Sequence, residues 1–295
     1  MDLNGDGNTD ILSGSYSRME ESMAGLFQVL WGNSEREFSP AATLNGTDGK
    51  PLIISAPEVS AGYDSDIDRI CTRPVAVDWD GDGDLDLISG NFGGTFSMFR
   101  GEGQGKFQAT SELLMIGNDV LRITGHHSDP FCIDWDKDGD VDLLSGSTNG
   151  GVQWAENTAG AGKLPVLKAF VALIEPGPQT GQGEMLKESE LTGPTRSTRI
   201  WVDDINEDGK LDVLVGDSTT LTSPADGLTE EECKAKEVEW QSQMEDLSKK
   251  LNAITENTDS AETEKAHAEF NTLYQQRNMF IKEDRTGFVW LYLQK

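Results

Sequence analysis

Asp78-Trp79-Asp80-Gly81-Asp82-Gly83-Asp84-Leu85-Asp86-Leu87-Ile88-Ser89-Gly90 packs five carboxylates into nine residues and then turns apolar. Three more stretches repeat the pattern: Asp2-x-Asn4-x-Asp6-Gly7-x-x-Asp10, Asp134-x-Asp136-x-Asp138-Gly139-x-x-Asp142 and Asp204-x-Asn206-x-Asp208-Gly209-x-x-Asp212. Each runs into two apolar residues, one further residue and a glycine, namely Ile11-Leu12-x-Gly14, Leu87-Ile88-x-Gly90, Leu143-Leu144-x-Gly146 and Val213-Leu214-x-Gly216. An acidic loop followed by a short apolar run, repeated, reads as an all-β repeat protein with metal-binding turns.

Oxygen-bearing side chains on alternate residues, closed by a glycine turn, suit a hard cation. Calcium takes roughly six to eight oxygens in flexible geometry, and the first half of an EF-hand loop has this form. The second half differs. An EF-hand glycine is followed six residues later by a bidentate Glu and then a helix; here an Asp follows after three and the chain becomes β-patterned. A single copy would read equally well as an acidic surface turn, since Asp, Asn and Gly dominate turns. Four copies in one register to the following strand argue against that. Clustered carboxylates also disfavour one another's ionisation, and a bound cation relieves this.

The flanks read as strands. Pro74-Val75-Ala76-Val77, Phe131-Cys132-Ile133 and Ile200-Trp201-Val202 lead into loops two, three and four. After each loop an aromatic and β-branched run opens at a glycine: Gly25 to Trp31, Gly94 to Phe99, Gly151 to Trp154 and Gly287 to Tyr292. In repeat two a further turn, Gly101 to Gly105, leads to a fourth strand expected from Lys106-Phe107. Four strands per unit is the make-up of a propeller blade.

These residues resemble the FG-GAP and VCBS repeats found in integrin α-subunit propellers and in many secreted bacterial proteins, over most of positions 1–224 and 287–295. The resemblance implies a β-propeller of four-stranded blades, with about four repeats present and the end blades incomplete. It implies one calcium per loop, about four in all. The side-chain ligands it implies are Asp2, Asn4, Asp6 and Asp10; Asp78, Asp80, Asp82 and Asp86; Asp134, Asp136, Asp138 and Asp142; and Asp204, Asn206, Asp208 and Asp212. Asn8, Asp84, Asp140 and Lys210 would add backbone carbonyls.

Repeat four is interrupted. From the first loop Asp to the strand-opening glycine is 16 residues in repeat two (78 to 94) and 83 in repeat four (204 to 287). The insert loses β-character and becomes rich in Glu, Lys, Gln and Ala. Thr229-x-x-Glu232 reads as a capping box, and Asp259-x-x-Glu262 as a second. Cys233, Trp240, Met244, Leu247, Leu251 and Ile254 form an apolar stripe; Ala266, Phe270, Leu273 and Phe280 form a weaker one, with Asn257-Thr258-Asp259 as the turn. The expected organisation is propeller repeats over 1–225, a helical hairpin over 226–284 and a closing propeller strand over 285–295.

A formal net charge of −28 argues against nucleic acid, which needs a basic footprint, and against anionic membranes. Four calcium ions would leave −20 (−28 + 8). No apolar run is long enough to span a bilayer. Met1 is followed at once by the first loop, so no signal peptide is visible. Repeat one has no strand before its loop and repeat four no last strand. This suggests a piece of a longer chain whose upstream part carries a secretion signal; the alternative is that the two end blades complete one another. Calcium use favours a secreted, periplasmic or cell-surface location, where modest-affinity sites fill. Cys71, Cys132 and Cys233 are odd in number and unpatterned, with Cys132 a small core residue.

No catalytic constellation is legible. His126-His127 reads as a solvated loop pair, Gly101-x-Gly103-x-Gly105 opens no helix, and the aromatic strands with Trp31, Trp154, Trp201 and Trp290 read as core. The expected function is a non-catalytic extracellular binding or adhesion module for a protein or carbohydrate ligand. One alternative is a polysaccharide-active, lyase- or lectin-like protein, for which the sequence shows no cluster of Lys, Arg or Tyr. Another is an assembly scaffold that self-associates through the hairpin.

Overall fold

A computed structural model describes residues 1–18, 23–55, 66–179, 184–252, 254 and 260–295. Among the described residues the chain is mostly β, built of antiparallel sheets, with two α-helices. Repeat one forms a sheet of β1 (Ile11–Gly14), β2 (Phe27–Leu30) and β3 (Ala42–Thr43). Repeat two forms β4 (Arg73–Val77), β5 (Asp86–Gly90), β6 (Phe96–Phe99) and β7 (Glu112–Leu113), followed by a small hairpin of β8 (Met115–Ile116) and β9 (Asp119–Val120). Repeat three forms β10 (Asp129–Ile133), β11 (Asp142–Gly146), β12 (Val152–Ala155) and β13 (Val171–Ile174).

In repeat four, β14 (Arg199–Asp203) and β15 (Asp212–Gly216) are followed by β16 (Thr219–Pro224), α1 (Glu230–Asn252), α2 (Ser260–Gln276) and β17 (Ile281–Thr286) before β18 (Val289–Tyr292) pairs back onto β15. Each acidic loop from two to four is the connection of a hairpin whose last paired residue is its final Asp: Val77 faces Asp86, Ile133 faces Asp142 and Asp203 faces Asp212.

The apolar pair after each loop has a physical reason. Successive strand residues point to opposite faces, and here both faces are buried. Leu87 joins a cluster with Leu3, Phe27, Val29 and Phe99, toward repeat one. Its neighbour Ile88 joins Phe96, Leu143 and Ala155, toward repeat three. Leu144 in turn packs with Val152, Val202, Val213 and Val215, toward repeat four. Each fully buried side chain of this kind contributes about 1.5–3 kcal/mol.

The glycine ending the motif marks where the next repeat arrives. A Cβ at Gly14 would lie 1.9 Å from the Thr72 carbonyl oxygen, at Gly90 2.2 Å from that of Ser128, and at Gly146 2.3 Å from that of Thr198. The hydroxyls of those three residues stitch the repeats together. Thr72 Oγ1 accepts from Ser15 N and donates to the Ser15 and Leu26 carbonyls. Ser128 Oγ accepts from Asn91 N and donates to Thr95 O, and Thr198 Oγ1 accepts from Ser147 N and donates to Gly151 O.

One expected strand is reduced to a bridge. Lys106-Phe107 pairs back only through a short bridge, Phe107 opposite Gly101 with Gln108 N donating to Arg100 O at 2.8 Å, and the outer strand proper is Glu112–Leu113. The Phe107 ring is buried in the core shared with repeat one, and its carbonyl accepts from Thr47 N at 3.0 Å.

Two compact units divide the chain. The first comprises Met1–Pro176, Gly193–Asp217 and Val289–Lys295; the second comprises Gly177–Thr192 and Ser218–Phe288. The second unit is wider than the 226–284 hairpin read from the sequence, because β16 and β17 pair from Thr219↔Thr286 to Pro224↔Ile281 and form a ribbon at the base of the helices. The first capping box forms: Thr229 N donates to Glu232 Oε2 at 2.8 Å and Glu232 N to Thr229 Oγ1 at 3.3 Å. Trp240 Nε1 donates to Leu273 O across the helix pair at 2.7 Å. The Asn257-Thr258-Asp259 turn and the second capping box lie outside the described residues. Among the described residues no helix is long and apolar enough to cross a membrane.

Candidate metal centres

The four loops share one backbone design. Positions four and six take left-handed conformations in every copy: Gly5 and Gly7, Gly81 and Gly83, Lys137 and Gly139, Glu207 and Gly209. That bends the chain around the first carboxylate, whose Oδ2 accepts the position-six amide in each loop. The distances are 2.8 Å for Asp2, 3.1 Å for Asp78, 3.1 Å for Asp134 and 2.8 Å for Asp204. The position-five carboxylate accepts the position-seven amide, so Asp6, Asp82, Asp138 and Asp208 receive Asn8, Asp84, Asp140 and Lys210 at 2.8–3.1 Å.

The last carboxylate of each loop is buried and doubly engaged. Asp10, Asp86, Asp142 and Asp212 accept the position-two amide, from Leu3, Trp79, Trp135 and Ile205, on Oδ2. Their Oδ1 accepts an amide beyond the strand paired with the following strand: Gly32, Gly101, Asn157 and Gln294 at 2.8, 2.7, 2.7 and 3.0 Å. These residues, read from the sequence only as ligands, therefore fasten the loop to its sheet. In loops one to three each of these oxygens accepts one backbone amide and keeps a lone pair for an ion, whereas Asp212 Oδ2 also accepts Asn206 N at 3.3 Å.

Loops two and three carry the strongest cation geometry. Oxygens of Asp78, Asp80 and Asp82 lie within 4.8 Å of one another, as do those of Asp134, Asp136 and Asp138. Two oxygens each about 2.4 Å from a calcium ion are at most about 5 Å apart, so both sets fit. Asp80 Oδ1 and Asp134 Oδ1 are buried without a hydrogen-bond partner, atoms a cation would satisfy. In loops one and four the third position is amide rather than acid. Asn4 Nδ2 donates to Asp6 Oδ2 at 3.2 Å and Asn206 Nδ2 to Asp208 Oδ2 at 3.3 Å, so these loops hold less negative charge.

Electrostatics differ between the two acidic loops. Burial raises the Asp86 carboxyl against its two amide bonds, with Asp80 and Asp82 adding to the rise. Burial pushes Asp142 up to about 6, with Asp136 contributing. Asp136 and Asp140 are raised as well, through partial desolvation first and then neighbouring carboxylates. The Asp140 side chain faces inward and its Oδ2 accepts Gly160 N at 2.6 Å, holding the turn of its own repeat.

The loops contact their neighbours. Gly81 lies against Gly162 of the next repeat, where a Cβ would come within 2.4 Å of the Gly162 Cα, and Lys137 Nζ donates to the Gly209 carbonyl of loop four. Residues 78–145, which hold loops two and three, match the FG-GAP-like repeat family. No curated protein matches the chain.

Proposed function

We propose that the chain is a calcium-stabilised repeat β-propeller that serves as an extracellular, non-catalytic binding module. In this reading the four loops take one ion each along one rim, and the sheets are blades of a ring. The observation that carries it is the paired geometry of loops two and three, three converging carboxylates each, with Asp80 Oδ1 and Asp134 Oδ1 buried and unsatisfied. The FG-GAP-like match over the same two loops supports it. Calcium would cross-link carboxylates that otherwise repel, and so rigidify the turns from which the strands issue. Millimolar calcium outside cells fills such sites, which is the basis for placing the protein in a secreted, periplasmic or cell-surface setting.

Calcium titration of chelator-stripped protein, followed by calorimetry and thermal melting, tests the reading. About four sites and a melting temperature raised by calcium far more than by magnesium would support it. No binding at millimolar calcium would reduce the loops to acidic turns.

A second reading, assembly through the helical hairpin, draws on the exposure of Val238, Tyr274 and Met279 in the second unit. Sedimentation of the full chain, with all three changed to Ser, tests it: an unchanged mass would remove this reading.

A further inference from the structure

A cleft of about 470 Å³ opens where the first strands of three repeats begin, and its lining includes Ser13, Tyr16, Cys71, Arg73, Asp129 and Arg199. β4 runs from Arg73 to the second loop, β10 from Asp129 to the third and β14 from Arg199 to the fourth. The cleft therefore sits at the opposite end of these strands from the acidic loops. We propose that it binds the carboxylate of a sugar acid, held between the Arg73 and Arg199 guanidinium groups. This names a ligand class for the binding module proposed above and rests on that reading.

The basic charge is the first argument. The chain has 52 acidic residues against 24 Lys and Arg, yet Arg73 forms no ion pair among the described residues. Its Nη1 donates to the His127 carbonyl at 2.8 Å and its Nη2 lies 3.6 Å from Cys71 Sγ, which is a weak acceptor. Asp129 is engaged by Arg199 at 3.5 Å and also feels the charge of Arg73. The positive field is felt nearby: burial first, then Arg73 and Arg199, lower the His127 imidazole to about 4.

Charge and shape narrow the ligand. Two guanidinium groups and one carboxylate leave the cleft at +1, which balances a monoanion; Asp129 would repel a dianionic phosphate. A guanidinium fork matches a carboxylate in a bidentate manner. Two residues on from the charged pair, on the same strand faces, Phe131 and Trp201 meet edge to face with centroids 5.5 Å apart, and Trp201 remains 57 % exposed. Tyr16 is 59 % exposed at the rim. Flat aromatic surfaces beside an anion site suit a sugar ring, whose C–H face packs on them. An acidic peptide carries several charges, and the remainder of this acidic chain would repel it.

The test is an NMR titration of the full chain, in calcium, with the methyl glycoside of glucuronic acid. Methyl glucoside, N-acetylglutamate and inorganic phosphate are the comparison probes. The glucuronoside should bind at least tenfold more tightly than each of the other three. R73Q and R199Q should each weaken it at least tenfold. R199Q keeps the test decisive if R73Q misfolds, because Arg199 is the more exposed partner. Equal affinity for the neutral sugar, tighter binding of N-acetylglutamate or phosphate, or unaltered binding in R199Q would overturn the proposal. Calcium-dependent melting, read on the same samples, separates the two readings. Absent sugar binding with the calcium response intact sinks the cleft alone, whereas sugar binding without a calcium response sinks the metal reading alone.

Discussion

Arg100 Nη1 lies 2.6 Å from Asp80 Oδ2, so the second loop carries a cation of its own. At the same place in repeat three stands Glu156, one residue before the amide that Asp142 accepts, just as Arg100 precedes the amide that Asp86 accepts. Each pairs outward twelve residues on, with the charges exchanged: Arg100 with Glu112 at 3.1 Å, Glu156 with Lys168 at 2.6 Å. Two loops of nearly one sequence thus face opposite charges.

Loop three is accordingly expected to hold calcium more tightly than loop two. Arg100→Gln should raise the affinity of loop two about fivefold, the effect of roughly 1 kcal/mol from a partly exposed charge. Calorimetry of the variant beside Asp136→Asn, which disables loop three, reads the two sites separately. No change in Arg100→Gln would mean its guanidinium swings away when the ion enters.

The motif glycines should differ in cost. Gly90→Ala forces a Cβ to within 2.2 Å of the Ser128 carbonyl, whereas a Cβ at Gly216 meets nothing within 4 Å. Overpacking of this kind costs about 1–3 kcal/mol, so Gly90→Ala should lower the melting temperature by about 5 °C. Gly216→Ala should leave it within about 1 °C. Equal effects would show that the glycine serves its own strand and not the arriving repeat.

Clamp and chelate separate by their dependence on calcium. Asp142→Ala strands two amides, those of Trp135 and Asn157. Each unsatisfied buried group costs about 1–3 kcal/mol, so the variant should melt lower with or without calcium. Asp138→Asn keeps an acceptor for the Asp140 amide and should melt lower only when calcium is present. Identical calcium dependence in the two variants would contradict this division.

His127 makes stability pH-dependent. Burial and the two nearby arginines hold its imidazole at about 4, below the ordinary value of 6.5. The folded state therefore binds this proton less readily than the unfolded chain. The contribution is present in full above pH 6.5 and is lost as pH falls from there toward 4. His127→Asn, which tolerates the positive φ of 59° at this position, should flatten the melting profile across that window. A profile parallel to wild type would assign the acid sensitivity elsewhere.

In the second unit, Glu237 is 3 % exposed and takes Arg277 Nε at 3.0 and 3.1 Å, while the same guanidinium also pairs with Glu283 and lies over the Trp240 ring. Arg277→Ala leaves a buried carboxylate unpaired and should destabilise this unit by about 3–5 kcal/mol. Adding Glu237→Gln should restore most of it, as read by helix signal on melting. No recovery would place the damage in lost packing on Trp240.

The repeated loops, the strand pattern and the first capping box were legible in the residues themselves, because each depends on chemistry within a dozen positions. Asp78 to Gly90 encodes its turn through glycine, its acceptors through alternation and its burial through the Leu87-Ile88 pair. The stitching hydroxyls were legible as well but went unread: Thr72, Ser128 and Thr198 each stand six residues before a loop. The strand expected from Lys106-Phe107 forms only as a bridge to Gly101, and the longer outer strand at Glu112–Leu113 went unread. Glu237 interrupts an apolar stripe, and only its distant partner Arg277 makes it a core residue.

By itself the sequence determined the number of repeats, the acidic turns and the place of the helical insert, all local or periodic properties. Tertiary structure decided which charge each loop faces and that Arg73, Asp129 and Arg199 share one cleft, although 126 positions separate the first from the last (199 − 73). The reason is geometric. Strands from successive repeats start side by side, so residues far apart along the chain become neighbours through packing, and a charge is felt across space rather than along the chain.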